Sequence, residues 1–418
     1  MESAFSYTRT CDELHLVSGQ GMGLLHDLWI SRRPLAGFGL MAFAWASFFA
    51  QMPVLKEAIG ASDGTYGTVL LIASLAAVTA MWLAPFADRA AGRFALPFFS
   101  LMLAVGMLGA GASASIVLFT LSMTLASIAA GVVDVLANVR ISEAEQASGR
   151  PLMNLNHAFY SLSYGAAALA TGAFRELDWT PFDIFVLLVL VTALLSWIMV
   201  EPSTKPKPAP ASEARASVSV ARGLTLLGGA VVLVAFLVEA SAEGWSALHL
   251  ERTLGGDPSE GALGPAILGL TMGVGRLAGH FLSRHAPELK LMAVASLVAG
   301  IGLVIAGVAP GLTVAYIGFG LAGLGVSVIA PLALALIGRT VAPQARLDTI
   351  SRVSVMGYGA YFFGPPLMGF TSEAFGLRAG FILVAAIMFS TALLLLPALG
   401  RSANAHPASG RSADHPLP

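Results

Sequence analysis

Twelve apolar stretches, each close to bilayer-spanning length, fall into two sets of six on either side of a polar, proline-broken segment at 201–222. A bilayer core takes about 20 apolar residues per helix. The expected spans are 35–55, 67–87, 94–112, 115–139, 152–174, 180–200, 223–248, 262–283, 289–308, 311–336, 350–372 and 377–397. Lipid offers backbone groups no partner, so a spanning segment is a helix or part of a closed barrel, and these runs lack barrel alternation. The expectation is an all-α membrane protein of twelve transmembrane helices. Only 11% of the residues are charged and 56% are apolar, whereas a soluble domain carries about a quarter charged residues.

The chain divides accordingly into a tail (1–33), a first six-helix bundle (34–200), a linker (201–222), a second bundle (223–398) and a tail expected to be disordered (399–418). Lys and Arg set the orientation. With the N-terminus inside, the cytoplasmic side receives most of them, including Arg32, Arg33, Arg89, Arg93, Arg140, Arg150, Arg339 and Arg401. The other side receives Lys56, Arg175, Arg252 and Arg378. Both termini are therefore expected in the cytoplasm, the chain being a multi-pass protein of the inner (plasma) membrane. The leading residues lack a short apolar core with a cleavage site, so the first span is expected to act as the targeting signal. The single cysteine, Cys11, excludes an internal disulfide. Charges partitioned by face give no basic patch for nucleic acid.

The two sets of six match in position. The second span ends in Ala84-Pro-Phe-Ala-Asp88-Arg89-Ala-Ala-Gly92-Arg93 and the eighth in Arg276-Leu-Ala-Gly279-His280-Phe-Leu-Ser-Arg284. Tyr164-Gly165 and Tyr358-Gly359 sit midway along the fifth and eleventh. Matched halves suggest bundles related by an axis along the membrane normal. On these residues the chain resembles the major facilitator superfamily, whose loop signature after the second helix is Gly-x-x-x-Asp-Arg/Lys-x-Gly-x-Arg-Arg/Lys. Asp88, Arg89 and Arg93 match it, while Ala84 and Ala91 replace its glycines. A finer resemblance is to the fucose-permease-like and rhizopine-transporter-like bacterial branch. It rests on Trp45-Ala-Ser-Phe-Phe-Ala-Gln-Met-Pro53, Gly131-Val-Val-Asp134-Val-Leu-Ala-Asn138, Gly149-Arg-Pro-Leu-Met-Asn-Leu-Asn-His157, Glu239-Ala-Ser-Ala-Glu243-Gly-Trp245-Ser246 and Gly364-Pro-Pro-Leu-Met-Gly369. The first span departs from the fucose permeases in lacking their acidic residue.

An ionisable group inside a membrane helix costs roughly 2.5–3.5 kcal/mol on insertion scales, so it usually lines water or has a partner. Asp134 and Asn138 share a face of the fourth span. His157 stands at a similar depth on the fifth, where Asn154, Ser161 and Tyr164 continue a polar face. A carboxylate beside an imidazole makes a proton site, or a fixed bracket between the two helices. Glu239 and Glu243 form an i, i+4 pair in the seventh span, with Trp245 beside them either as a cavity residue or in an interfacial belt. Proton coupling is expected among Asp134, His157, Glu239 and Glu243. Arg276 either binds an anionic group, neutralises an acid or anchors the eighth helix; counted along the helices it lies roughly 12 Å below Glu239. Trp45, Phe48 and Gln51 in the first span and Tyr358 and Tyr361 in the eleventh are candidates for stacking and hydrogen bonding to a cyclic polar ligand. Substrate contact is thus expected from Trp45, Phe48, Gln51, Asn138, Asn154, Ser161, Tyr164, Trp245, Arg276, Tyr358 and Tyr361. Gly364, Pro365 and Pro366 are a candidate hinge or a static kink.

The resemblance further implies an inner latch of Asp88, Arg89, Arg93 and Arg140 against the segment beginning near Ile350. It implies secondary active transport of a sugar, polyol or related compound by alternating access, driven by a proton gradient, with proton-coupled efflux and a non-transporting sensor as alternatives. A nucleotide-binding Gly-x-x-x-x-Gly-Lys-Ser/Thr run is missing from the sequence. Neither a metal-ligand cluster nor a nucleophile–base constellation points to an enzyme, so no cofactor or metal is expected. The partners expected are a small-molecule substrate, protons and the lipid bilayer, with the protein a monomer.

Overall fold

The computed structural model describes residues 23–202, 222–283 and 285–404. Cys11, most of the expected linker, Arg284 and the tail from 405 lie outside the described residues. Every element within them is helical: α1 Arg32–Ala50, α2 Met52–Ala58, α3 Asp63–Ala91, α4 Ala95–Gly111, α5 Ile116–Ser148, α6 Met153–Glu176, α7 Pro181–Met199, α8 Arg222–Leu248, α9 Pro258–Leu282, α10 Glu288–Val308, α11 Leu312–Val326, α12 Ile329–Thr340, α13 Pro343–Tyr358, α14 Ala360–Phe375, α15 Leu377–Ser390 and α16 Leu396–Asn404.

Among the described residues, eight helical stretches are long and apolar enough to cross a membrane, or nine if the bent pair α1–α2 is one span. The sequence expectation was twelve, and the difference lies in three places. Asp63–Gly111 runs through a single 3-10 turn and covers two expected spans. Helix α6 is diluted by Asn154, Asn156, His157 and Ser161, and the α13–α14 stretch opens on the polar run Gln344–Arg352. Polar residues thus enter two spans on which substrate contacts were expected, through Asn154, Ser161 and Tyr164 in one and Tyr358 and Tyr361 in the other.

Local chemistry sets the helix ends. Ser62 caps α3 by accepting a hydrogen bond from the Thr65 amide at 3.2 Å. Gly149 closes α5 at φ +68°, a left-handed position where a side chain would be strained. Between α1 and α2 the chain bends by 65°. Pro53 has no amide hydrogen for the Phe49 carbonyl and its ring crowds that carbonyl. The Gln51 side chain braces the bend by donating to the Ser47 carbonyl at 3.0 Å, alongside its own amide. The expected hinge at Gly364-Pro365-Pro366 is not where the helix breaks: α14 runs through both prolines, and the interruption falls at Gly359.

In the first half α5 packs on α3 and α4, α4 on α7, and α1 on α6; in the second α10 packs on α11 and α15, and α8 on α13 and α14. The halves meet where α6 faces α9, α3 faces α14 and α1 faces α9. Small residues let backbones approach, as in other membrane bundles. A Cβ on Gly106 would stand 2.6 Å from the Ala126 amide nitrogen, and one on Gly131 would stand 2.5 Å from the Ala77 carbonyl oxygen. The outer surface carries large apolar side chains, with Trp197 86% and Leu194 73% exposed, as lipid-facing helices require.

Because the neighbour of Gly106 is backbone, Gly106→Val is expected to cost about 1–3 kcal/mol through overpacking. It should lower the melting temperature of the purified protein in detergent. Gly320→Ala, whose Cβ would meet the Ile267 and Thr271 side chains at ordinary contact distances of 3.5 and 3.8 Å, should melt as wild type.

Candidate binding cavity

A cavity of about 340 Å³ lies where the halves meet. Helix α1 offers it Phe38, Met41, Trp45 and Phe49, a set at helical spacing that defines one face. Phe48 and Gln51, expected on the wall, fall off that face. Phe48 is buried against Trp45, Phe49 and Phe119, and Gln51 serves the bend.

From α8 the wall receives Phe236, Glu239 and Glu243, again one face of a helix, together with Trp245. Trp245 is only 1% exposed and meets Tyr66 edge-on at 6.3 Å, so it is a core and cavity residue and not part of an interfacial belt. Asp134 from α5, His157 and Tyr160 from α6, Arg276 from α9, Tyr358 from α13 and Tyr361 from α14 complete the polar and aromatic lining. Asp134 and His157 share the cavity but are engaged separately. Asn138 donates to the Asp134 carboxylate at 3.2 Å and to its carbonyl at 2.9 Å, while the imidazole packs on the Phe38 ring at 5.2 Å.

Several expected contact residues lie elsewhere. Asn138 serves Asp134 and is not on the wall, Asn154 is exposed, and Tyr164 is buried beneath the lining with its hydroxyl unpartnered. Ser161 is likewise beneath the lining, where it accepts a hydrogen bond from Arg276 Nη1 at 2.9 Å.

Arg276 corrects a second expectation. Despite the separation counted along straight helices, its Nη2 lies 3.6 Å from Glu239 Oε1. The length of the arginine side chain closes the interval between α9 and α8. One guanidinium therefore joins α9 to a carboxylate of its own half and to a hydroxyl of the other.

Toward one end of the cavity the halves are clamped together by charges. Arg175 at the end of α6 is 8% exposed and grips Glu251 through two bonds, 2.6 and 3.0 Å. It also donates to the carbonyls of Ala50 at 2.8 Å and Pro258 at 3.2 Å. Asp63 receives both arms of Arg252, at 2.8 and 2.6 Å, and Lys56 at 2.9 Å. Glu373 at the end of α14 accepts from the Gly64 amide at 2.6 Å and the Ser62 hydroxyl at 2.8 Å, a carboxylate set on the positive N-terminus of α3. Beneath it, a Cβ on Gly67 would lie 2.5 Å from the Pro365 carbonyl. Pro365 and Pro366 thus mark a seam between halves. None of these clamp residues was singled out as a site in the sequence. The available signal was that three of the four basic residues on the sparse side, Lys56, Arg175 and Arg252, lie within or beside helix ends where acids also stand.

At the opposite end of α3, Asp88 accepts from Arg140 at 2.8 Å, and Arg140 also holds Glu201. The Glu201 amide donates to the Arg93 carbonyl at 3.1 Å, and the Arg93 guanidinium lies over the Phe94 ring at 4.8 Å. Arg89 ends the last turn of α3. The expected pairing of Asp88 with Arg140 is present. The bonds described tie the first half to itself, not to α13 as the inner latch requires.

A helical bundle with an aromatic cavity between its halves, acids and an arginine on the cavity wall, ion pairs across the seam and apolar side chains facing outward is the architecture of a multi-pass membrane protein, and its family marks it as a transporter and not an enzyme. The chain belongs to the Major Facilitator Superfamily, whose model matches residues 35–319 and 231–417. An uncharacterized MFS-type transporter of Yersinia pestis is 27% identical over 365 residues, covering 86% of this chain and 91% of the relative. Membrane protein MosC of Rhizobium meliloti is 25% identical over 357 residues, 84% of each chain. Among solved structures, a bacterial homolog of the human lysosomal transporter Spinster, inward-facing and occupied, aligns with TM-score 0.70 at 17% identity, covering 91% of this chain and 98% of that one. A D-xylose–proton symporter aligns with TM-score 0.68 at 15% identity, covering 88% and 97%.

Removing one partner of a buried ion pair costs about 3–5 kcal/mol because the other charge is left behind. Glu251→Gln should therefore loosen the clamped end. In a Cys11→Ser background with a cysteine at Phe49, a membrane-impermeant maleimide added from the Asp63–Arg252 side should react at least about tenfold faster in the Glu251→Gln variant. Equal rates would show that the pair does not hold that end shut.

Proposed function

We propose that the protein is a secondary active transporter that moves a small polar organic solute by alternating access, coupled to proton movement. In this reading twelve spans form two pseudo-symmetric six-helix bundles, 34–200 and 223–398, which rock about the cavity. The protein works as a monomer in the inner membrane with both termini in the cytoplasm and needs no cofactor beyond the proton gradient. The sparse placement of Lys and Arg at the Asp63 end supports putting that end outside; on this reading the clamped seam is an outer gate and the cavity would open to the cytoplasm. Asp88, Arg140 and Glu201 would then be half of an inner latch that closes on the second bundle when the outer clamps break.

The observation that carries this reading is the Arg276–Glu239–Ser161 contact at the junction of the halves. A charge pair in lipid surroundings is costly unless matched, and one that spans the moving interface is sensitive both to protonation and to which state the halves adopt. Protonating Glu239 frees Arg276 to rebalance against another group on the wall, and Asp134, Glu243 and His157 supply further proton positions. Proton occupancy can in this way be tied to the arrangement of the bundles.

A thermal-shift screen of purified protein against sugars, polyols, amino acids and organic cations should first identify a stabilising ligand. In proteoliposomes with an imposed pH gradient, the wild type should accumulate or expel that ligand with proton movement. Glu239→Gln should lower gradient-driven transport at least about tenfold, the effect of removing about 1.4 kcal/mol of coupling, while ligand exchange without a gradient persists. Ligand binding with no proton movement in the wild type would instead describe a sensor.

A further inference from the structure

The cavity wall is unbalanced in charge, with Asp134, Glu239 and Glu243 against Arg276. The guanidinium is already committed to Glu239 and Ser161, and Asp134 is bonded by Asn138. One turn beyond Glu239, Glu243 faces the same space, and no hydrogen bond or ion pair reaches it among the described residues. The wall carries neutral hydroxyls on Ser74, Ser127, Tyr160, Tyr358 and Tyr361 but, among the described residues, no carboxamide. The amides that could orient a polyhydroxylated ring, Gln51, Asn138 and Asn154, lie off it, and the Ser74 hydroxyl donates to its own helix at 2.8 Å. Aromatic rings are plentiful instead. Trp45 and Phe49 stack with centroids 5.7 Å apart, Gly244 follows Glu243 with its Cβ position 3.5 Å from the Phe49 ring, and Trp245 comes next. A spare carboxylate in an aromatic wall suits a cation, because ring faces attract positive charge and the carboxylate completes the neutralisation.

Resting on the transport reading above, we infer that the solute is a small organic ammonium, bound with Glu243 as counter-ion in exchange for a proton. The uncompensated charge that an empty cavity would otherwise hold is costly at this depth. Glu243 therefore carries a proton when the cavity is empty and gives it up to water on the open side when the ammonium arrives. One cation enters, one proton leaves, and the net charge of the site is unchanged. Other titratable or charged groups on the same wall are Glu239 on the same helix, Arg276 from α9, Asp134 from α5, His157 and Tyr160 from α6, and Tyr358 and Tyr361 from α13 and α14. The α1 and α3 faces are uncharged, so Glu243 is the acid with no fixed partner.

Benzyltrimethylammonium, a permanent cation with no proton of its own to lose, tests the exchange. Titration calorimetry of full-length protein in lipid nanodiscs, in two buffers of different ionisation enthalpy, should show saturable binding with release of about one proton. Affinity should rise about tenfold per pH unit across the range of release, the slope for a single linked proton. Glu243→Gln should abolish release and weaken binding more than about tenfold, the difference made by a desolvated charge pair. Glu243→Asp should keep the release and show that the carboxylate, not the fold, is responsible. Failure of the cation to bind saturably, or binding and proton release that persist in Glu243→Gln, would overturn the inference. If the cation fails while a neutral ligand drives proton movement in proteoliposomes, the transport reading stands and the ammonium assignment falls. If the exchange occurs in nanodiscs but no proton moves in proteoliposomes, the transport reading fails on its own.

Discussion

A guanidinium in the middle of a lipid-facing bundle has to be neutralised where it lies, and the way Arg276 is neutralised organises the cavity. Its charge is met by Glu239 on the adjoining helix and its remaining donors reach Ser161 across the junction. An arginine suits this position because its planar fork can serve two acceptors at once, which a lysine ammonium on its flexible stem does less well. With the cation occupied, the other acids of the wall must find their own compensation. Asp134 has an amide; Glu243 has only the cavity. The electrostatic character of the space therefore follows from a single pairing on its floor.

The clamped end operates under different physics. Arg175 and Glu251 are largely withdrawn from solvent, and their attraction has to offset the desolvation of both groups. Such pairs add little net stability, yet breaking them by removing one member is expensive. When the halves separate, by contrast, both members are rehydrated together and each recovers the solvation it had given up. The same pair is thus rigid against mutation and permissive toward opening, which suits a gate that must close firmly without trapping the protein. The Glu373 carboxylate on the N-terminus of α3 works alike, since the amides it leaves can bond water.

Much of the fold was legible because lipid admits so few solutions. Hydropathy alone places α4, α7, α8 and α10 within a residue or two of their ends. The limits appear where helices are interrupted or diluted. The apolar run 35–55 read as one span and concealed the break before Pro53, while Pro365-Pro366 suggested a bend where α14 runs on without interruption. At the site, periodicity found Trp45, Glu239, Glu243, Tyr358 and Tyr361, because facing residues recur at helical spacing. It misplaced Phe48 and Gln51 because the choice between 48 and 49 is a matter of helix rotation, which packing decides. It undervalued the Glu239–Arg276 contact because axial distance along straight helices ignores the reach of a long side chain. It passed over Arg175, Glu251 and Asp63 because charges at helix ends read as solvated until the partner half is in place.

Arg175 also links the clamped seam to the end of α1, which carries part of the cavity wall. At the end of α1 Arg175 donates to the Ala50 carbonyl while holding Glu251 and Pro258 of the other half. The terminus of α1 is therefore stabilised by the same guanidinium that closes the seam. One turn below lie Phe49 and Trp45, the aromatic face of the cavity. With Glu251 and the Pro258 carbonyl both released, the guanidinium would be tied to the first half alone, through Ala50. The proline that bends the helix and the arginine that bonds its last carbonyl thus stand between the cavity wall and the clamped seam.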